Sequence, residues 1–84
     1  MNLEELRKVI DAVDHEMMEL FKKRMELSYM VGEYKKKNQL QILDQSREKE
    51  VLESRRNELD DESLWPYYEA FIKEIMKLSK EYQK

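Results

Sequence analysis

The stretch LEELRKVIDAVDHEMMELFKKRMELSYMVGEYKKK, from Leu3 to Lys37, decides the fold of this chain. Side chains recur in it at alternating spacings of three and four residues, and all but one are apolar or Tyr: Leu3, Leu6, Ile10, Val13, Met17, Leu20, Arg24, Leu27, Val31 and Tyr34. We call this series the seam, because the spacing places it along one face of an α-helix. The pattern predicts one helix from Leu3 to Lys37, about 50 Å long.

The segment that follows Asp44 predicts a second, shorter helix. Asp44 is a good N-cap, and the helix is expected over residues 45–58. Its apolar side is small, consisting of Val51, Leu52 and Leu59. Helical spacing places charged residues beside that side, namely Arg47, Glu48 and Arg55.

A third helix is predicted over residues 64–82, where the three-four spacing returns. Asp61 or Ser63 is expected to cap it, and Pro66 is tolerated in its first turn. Ser79 and Gln83 are four residues apart and are expected to face the same space. Close packing is also expected at Gly32, which lies within the long helix at a cost of about 1 kcal/mol relative to Ala.

The composition predicts an all-α protein with a single domain over residues 1–84. The chain has 84 residues, 40% hydrophobic and 42% charged, with one Gly, one Pro and no Cys. Sandwiches and barrels need more turn residues than this. A chain of this length cannot cover a helix about 50 Å long with its own remaining helices, so we expect an oligomer.

Charge and residue types exclude several classes of function. The formal charge of −3 argues against nucleic-acid binding, and no apolar stretch approaches the ~20 residues needed to cross a membrane. The absence of Cys excludes disulfides and thiol nucleophiles, and the single His15 lacks companions that would bind a metal. We expect a cytoplasmic protein without metal or cofactor.

Arg24 is the informative exception within the seam. It either reaches solvent or pairs with a structural carboxylate, or it binds an anionic ligand, since an unpaired buried cation is costly. Lys35 follows it by about three full turns and shares its face. Arg7 lies ~25 Å away along the axis and about 100° off in azimuth, so it can join the same site only from another subunit.

Five short motifs together resemble the all-helical chorismate mutase family. They are Leu6-Arg7-Lys8-Val9-Ile10-Asp11, Lys23-Arg24-Met25-Glu26-Leu27, Val31-Gly32-Glu33-Tyr34-Lys35, Asp44-Gln45-Ser46-Arg47-Glu48 and Ser79-Lys80-Glu81-Tyr82-Gln83. The resemblance covers nearly the whole chain. It implies an intertwined homodimer of three-helix chains, with Arg7 contributed across the interface to each of two sites.

The resemblance also implies a role for each matching residue. Arg7 and Arg24 would bind the two carboxylates of chorismate, with Arg47 close by and Ser79 near a carboxylate. Lys35 and Gln83 would bracket the ether oxygen of the breaking bond. Glu48 and the backbone at Asp44 would hold the ring hydroxyl.

The implied reaction suits this composition. Rearrangement of chorismate to prephenate, a step towards Phe and Tyr, is intramolecular and needs no nucleophile, metal or cofactor. Two alternatives remain: a lyase of the same fold that releases pyruvate from isochorismate, and a non-catalytic helical dimerisation module. The cations on faces expected to be buried argue against the module.

Overall fold

The computed structural model describes residues 1–83, which form three α-helices: α1 (Leu3–Lys37), α2 (Gln45–Leu59) and α3 (Trp65–Gln83). Residues 1–83 contain no strand, and the predicted all-helical class is confirmed. The bounds of α1 are those that the seam predicted. The Asn2 side chain caps its start by accepting a 2.8 Å hydrogen bond from the backbone N–H of Glu5.

The junctions around α2 depend on aspartates. Asp44 caps the helix by accepting a 3.0 Å hydrogen bond from the backbone N–H of Arg47, as expected. Asp60 adopts a left-handed conformation with φ of 49°, which ends α2 at Leu59, one residue beyond the prediction.

The start of α3 lies one residue later than the sequence predicted. The Asp61 carboxylate accepts hydrogen bonds from the backbone N–H groups of Ser63 (3.0 Å) and Leu64 (3.2 Å). These bonds hold residues 62–64 in a turn, so the helix begins at Trp65. Of the two expected caps, Asp61 is the residue whose side chain satisfies backbone donors.

Helix α3 is the element that packs against both other helices. Helices α1 and α3 run in the same direction where they meet, because Arg24 contacts Ser79 and the later residue Gly32 contacts the later residue Gln83. The buried apolar residues are Val51, Trp65 and Ile72, and the Arg56 guanidinium lies 5.8 Å from the centre of the Trp65 ring. None of the described helices is long and apolar enough to span a membrane.

The first half of α1 extends beyond this packing. The described chain measures 54 × 26 × 16 Å, and its long dimension is that of α1. Seam residues are largely exposed in both halves of α1, with Leu3 at 62% in the first and Tyr34 at 64% in the second. Helices α2 and α3 therefore leave the apolar seam uncovered, and in the first half of α1 every residue from 3 to 23 is exposed.

Candidate active site

A cavity of about 290 Å³ lies where the three helices and the loop before α2 meet. It is lined by polar and apolar side chains from all of these elements: Arg24, Leu27, Ser28, Val31, Lys35, Ile42, Asp44, Arg47, Glu48, Val51, Arg55, Met76, Ser79, Lys80 and Gln83. Seven of the eight residues expected at the site are among them. Arg7 is not, and it is exposed on the first half of α1.

One face of α1 forms a wall of this cavity. Arg24, Ser28, Val31 and Lys35 all line it, at the three-four spacing of the helix. The shared face of Arg24 and Lys35 is therefore the one that helical spacing predicted. Ser79 and Gln83 of α3 also look into the same space, as expected.

The Arg24 guanidinium has a hydrogen-bond partner but no carboxylate partner within residues 1–83. It donates a hydrogen bond to the Ser79 hydroxyl, and the ion pairs within residues 1–83 do not include it. Burial lowers the pKa of Arg24, and the positive charge of Arg55 lowers it further. Arginine nevertheless stays charged at physiological pH. A structural carboxylate partner, the first interpretation of Arg24, is not found in the described part of the chain.

Lys35 is directed by the loop between α1 and α2. Its ammonium donates a 2.8 Å hydrogen bond to the backbone carbonyl of Ile42. The loop turns back at Gln39, whose φ of 56° is left-handed, and Leu40 donates a 2.7 Å backbone hydrogen bond to the carbonyl of Lys35. The carbonyl takes one of the three ammonium donors, so two donors of Lys35 remain for a ligand.

Glu48 forms an ion pair that the sequence analysis did not predict. Its carboxylate lies 2.6 Å from the Lys80 ammonium, and both side chains are about 30% exposed. The pair joins α2 to α3 across the cavity wall. The signal available in the sequence was the i, i+4 spacing from Met76 to Lys80, which continues the inner edge of α3.

The end of α3 lies very close to α1 at Gly32. A Cβ atom built on Gly32 would stand 2.8 Å from the backbone oxygen of Gln83 and 2.9 Å from its Cα and Cβ atoms. The expected close packing at Gly32 is confirmed. The side-chain oxygen of Gln83 is buried there without a hydrogen-bond partner in residues 1–83.

Arg47 and Arg55 complete the charged lining. Arg47 points largely to solvent and pairs with Glu50 at 2.8 Å, while Arg55 pairs with Glu58 at 2.9 Å. Helical spacing had placed Arg55 beside Val51, but its position next to Arg24 was not predicted. His15 is exposed.

The balance of charge decides what this cavity can bind. Five basic side chains line it (Arg24, Lys35, Arg47, Arg55 and Lys80), against two acidic ones (Asp44 and Glu48). The whole chain carries −3, so positive charge is concentrated here against the overall sign. Within residues 1–83 no group of three or more His, Cys, Asp or Glu side chains is placed to hold a metal ion. The arrangement suits a small organic anion held by charge-assisted hydrogen bonds.

Comparison with known proteins agrees with this chemistry. Residues 6–84 match the family described as chorismate mutase type II. The T-protein of Haemophilus influenzae is 41% identical over 58 residues, which are 69% of this chain and 15% of that protein. The chain thus spans a small part of the length of this relative. No solved structure gives a significant match. Because the match covers nearly the whole length of this chain, the chain belongs to the type II chorismate mutases.

Proposed function

We propose that residues 1–84 form one mutase domain that rearranges chorismate to prephenate, a step in the biosynthesis of Phe and Tyr. In this reaction the ether C–O bond of the substrate breaks as a new C–C bond forms within the same molecule. No atom enters or leaves. The protein then has two tasks, which are to hold the substrate in its compact reactive conformer and to stabilise negative charge on the ether oxygen.

The observation that carries this proposal is the charge of Arg24, which has no ionic partner within residues 1–83. Membership of the family points to a dicarboxylate substrate, and the Arg24 guanidinium has hydrogen-bond donors left for one carboxylate. Ser79, which already accepts a hydrogen bond from Arg24, fixes the orientation of the guanidinium and lies near the same carboxylate. Arg47 contributes positive charge from the rim.

Lys35 and Gln83 are proposed to act on the breaking bond. They line the cavity from α1 and α3, and both side chains can donate a hydrogen bond. Donors fixed before the reaction stabilise an oxygen that gains negative charge in the transition state more than they stabilise the ground state. Arg24, Lys35 and Gln83 are therefore the proposed catalytic residues.

The ring hydroxyl of the substrate is assigned to Glu48 and the backbone at Asp44. Both residues line the cavity beside the start of α2. The Lys80 ammonium holds the Glu48 carboxylate at 2.6 Å, which limits the positions that this acceptor can take. A carboxylate has about four acceptor sites on its two oxygens, so it can accept from Lys80 and a hydroxyl together.

We further propose that the active form is an intertwined homodimer, in which Arg7 from a second copy binds the other carboxylate. The exposed first half of the seam supports this, because apolar side chains at Leu6, Ile10 and Val13 remain 45–56% exposed in one chain. Symmetric pairing of two long helices would bring each Arg7 to the cavity of its partner. The expected cytoplasmic location stays a prediction.

The test is to incubate the purified chain with chorismate and identify the product by chromatography. Prephenate is expected, with no metal or cofactor added. Arg24→Ala should abolish most of the conversion, whereas Lys23→Ala, which removes a charge from an exposed neighbour on α1, should not. Release of pyruvate from isochorismate in place of prephenate formation would indicate the lyase, and no turnover of either compound would indicate a non-catalytic module.

A further inference from the structure

Gly32 faces the last turn of α3, and we propose that it is a positioning residue that sets where Gln83 stands in the cavity. This inference rests on the proposed function, in which Gln83 donates to the ether oxygen. Gly32 is buried within α1 and does not itself line the cavity. Its action would pass entirely through Gln83.

The distances leave no room for a side chain at position 32. The three atoms nearest to an added Cβ belong to Gln83, and two of them are backbone atoms at 2.8 and 2.9 Å. Ordinary contact between carbon atoms needs about 3.5 Å or more, so the backbone of Gln83 would have to retreat by roughly 0.6 Å. A rotation of the Gln83 side chain cannot relieve this contact.

A second observation concerns what holds the end of α3 in place. The Gln83 side-chain oxygen is buried without a partner in residues 1–83, so no hydrogen bond of that atom anchors the amide. The neighbouring Tyr82 ring packs against Tyr29 of α1, with ring centres 6.1 Å apart. The end of α3 is therefore held by its contact with α1, and Gly32 sets the distance of that contact.

Replacing Gly32 by Ala should have opposite effects on the stability of α1 and on the position of Gln83. Gly32 lies in the interior of α1, where alanine is the better helix former. A methyl group at position 32 should therefore favour α1 while displacing Gln83. Loss of activity without loss of the fold is the signature of a positioning role.

Steady-state kinetics on chorismate compare wild type, Gly32→Ala, Gln83→Ala and the double variant, with Glu33→Ala as the matched control on the exposed face of α1. Gly32→Ala should lower kcat about 10- to 100-fold with a small change in KM, because a displacement of this order misplaces a catalytic donor. The double variant should be no slower than Gln83→Ala alone. Glu33→Ala should match wild type.

Amide resonances of Gln83 and of Phe71, in the middle of α3, provide a readout that needs no activity. In Gly32→Ala the Gln83 resonances should move and those of Phe71 should not. Unchanged kcat in the folded variant, unmoved Gln83 resonances, or losses that multiply in the double variant would each overturn the proposal. An unfolded Gly32→Ala would overturn it as well, since only the end of α3 should be displaced. If wild type does not convert chorismate, the proposed function fails and the resonances alone decide the role of Gly32.

Discussion

The two halves of α1 carry the same sequence pattern, but only the second half, which we call the covered half, contains buried residues. In the second half, Ser28 and Gly32 are buried against α3, and Arg24 and Lys35 line the cavity. The apolar seam itself stays exposed in both halves, with Leu3 at 62% and Tyr34 at 64%. A three-four pattern therefore specifies a helix and a face but does not specify which chain covers that face.

Removal of Arg24, in the covered half, should have the largest effect. Arg24→Ala is expected to lower kcat/KM about 100- to 1,000-fold, the loss typical of one preorganised donor. The fold should survive, because burial and Arg55 both lower the pKa of Arg24, which means that the folded protein disfavours this charge. Thermal unfolding checks the second claim. A variant that unfolds would show that Arg24 is structural.

Arg7 tests whether the uncovered half serves a partner. Arg7→Ala should lower kcat/KM about 100-fold, since it removes one carboxylate ligand. Unfolding and refolding a mixture of Arg7→Ala and Arg24→Ala should restore up to about a quarter of wild-type activity, because half of the dimers are mixed and each carries one intact site. No recovery on mixing would show that Arg7 does not act across an interface.

The role of Gln83, which lies against the covered half of α1, can be tested by the pH dependence of activity. Wild type should vary little between about pH 5 and 8, since the Gln83 amide does not titrate and always donates. Gln83→Glu should lose about tenfold in kcat/KM per pH unit above the pKa of the new carboxyl, because only the protonated acid donates. Activity therefore returns as the pH falls. Equal, flat profiles would remove Gln83 from the catalytic residues.

Ile10, in the uncovered half, should have the smallest effect on activity and a clear effect on stability. If a second copy buries it, Ile10→Ala should lower the free energy of unfolding by about 2 kcal/mol or more and make Tm depend more steeply on protein concentration. Lys8→Ala, at an exposed position outside the seam, is the control. In a monomer both changes should stay within about 0.5 kcal/mol. Sedimentation showing a fully active monomer at micromolar concentration would contradict the dimer directly.

Most of the fold was predictable because its signals are local. The seam gave the bounds of α1, and the caps at Asp44 and Asp61 brought the other helices to within one residue. The end of α2 was missed because the left-handed conformation of Asp60 is not evident from its residue type. Asp61 satisfies donors of the turn that follows it, which delayed α3 to Trp65.

For the site, the residue types and the helix faces that they share could be predicted from the amino-acid sequence. Helical periodicity placed Arg24 with Lys35 and Ser79 with Gln83, and the distance along α1 separated Arg7 from them. Which faces meet could not be predicted: the packing of the helices places Lys80 beside Glu48, Arg55 beside Arg24 and the end of α3 beside Gly32. Hydrogen bonds within a helix fix the positions of side chains three and four residues apart, so these can be predicted locally. Contacts between helices depend on the packing of all three helices together.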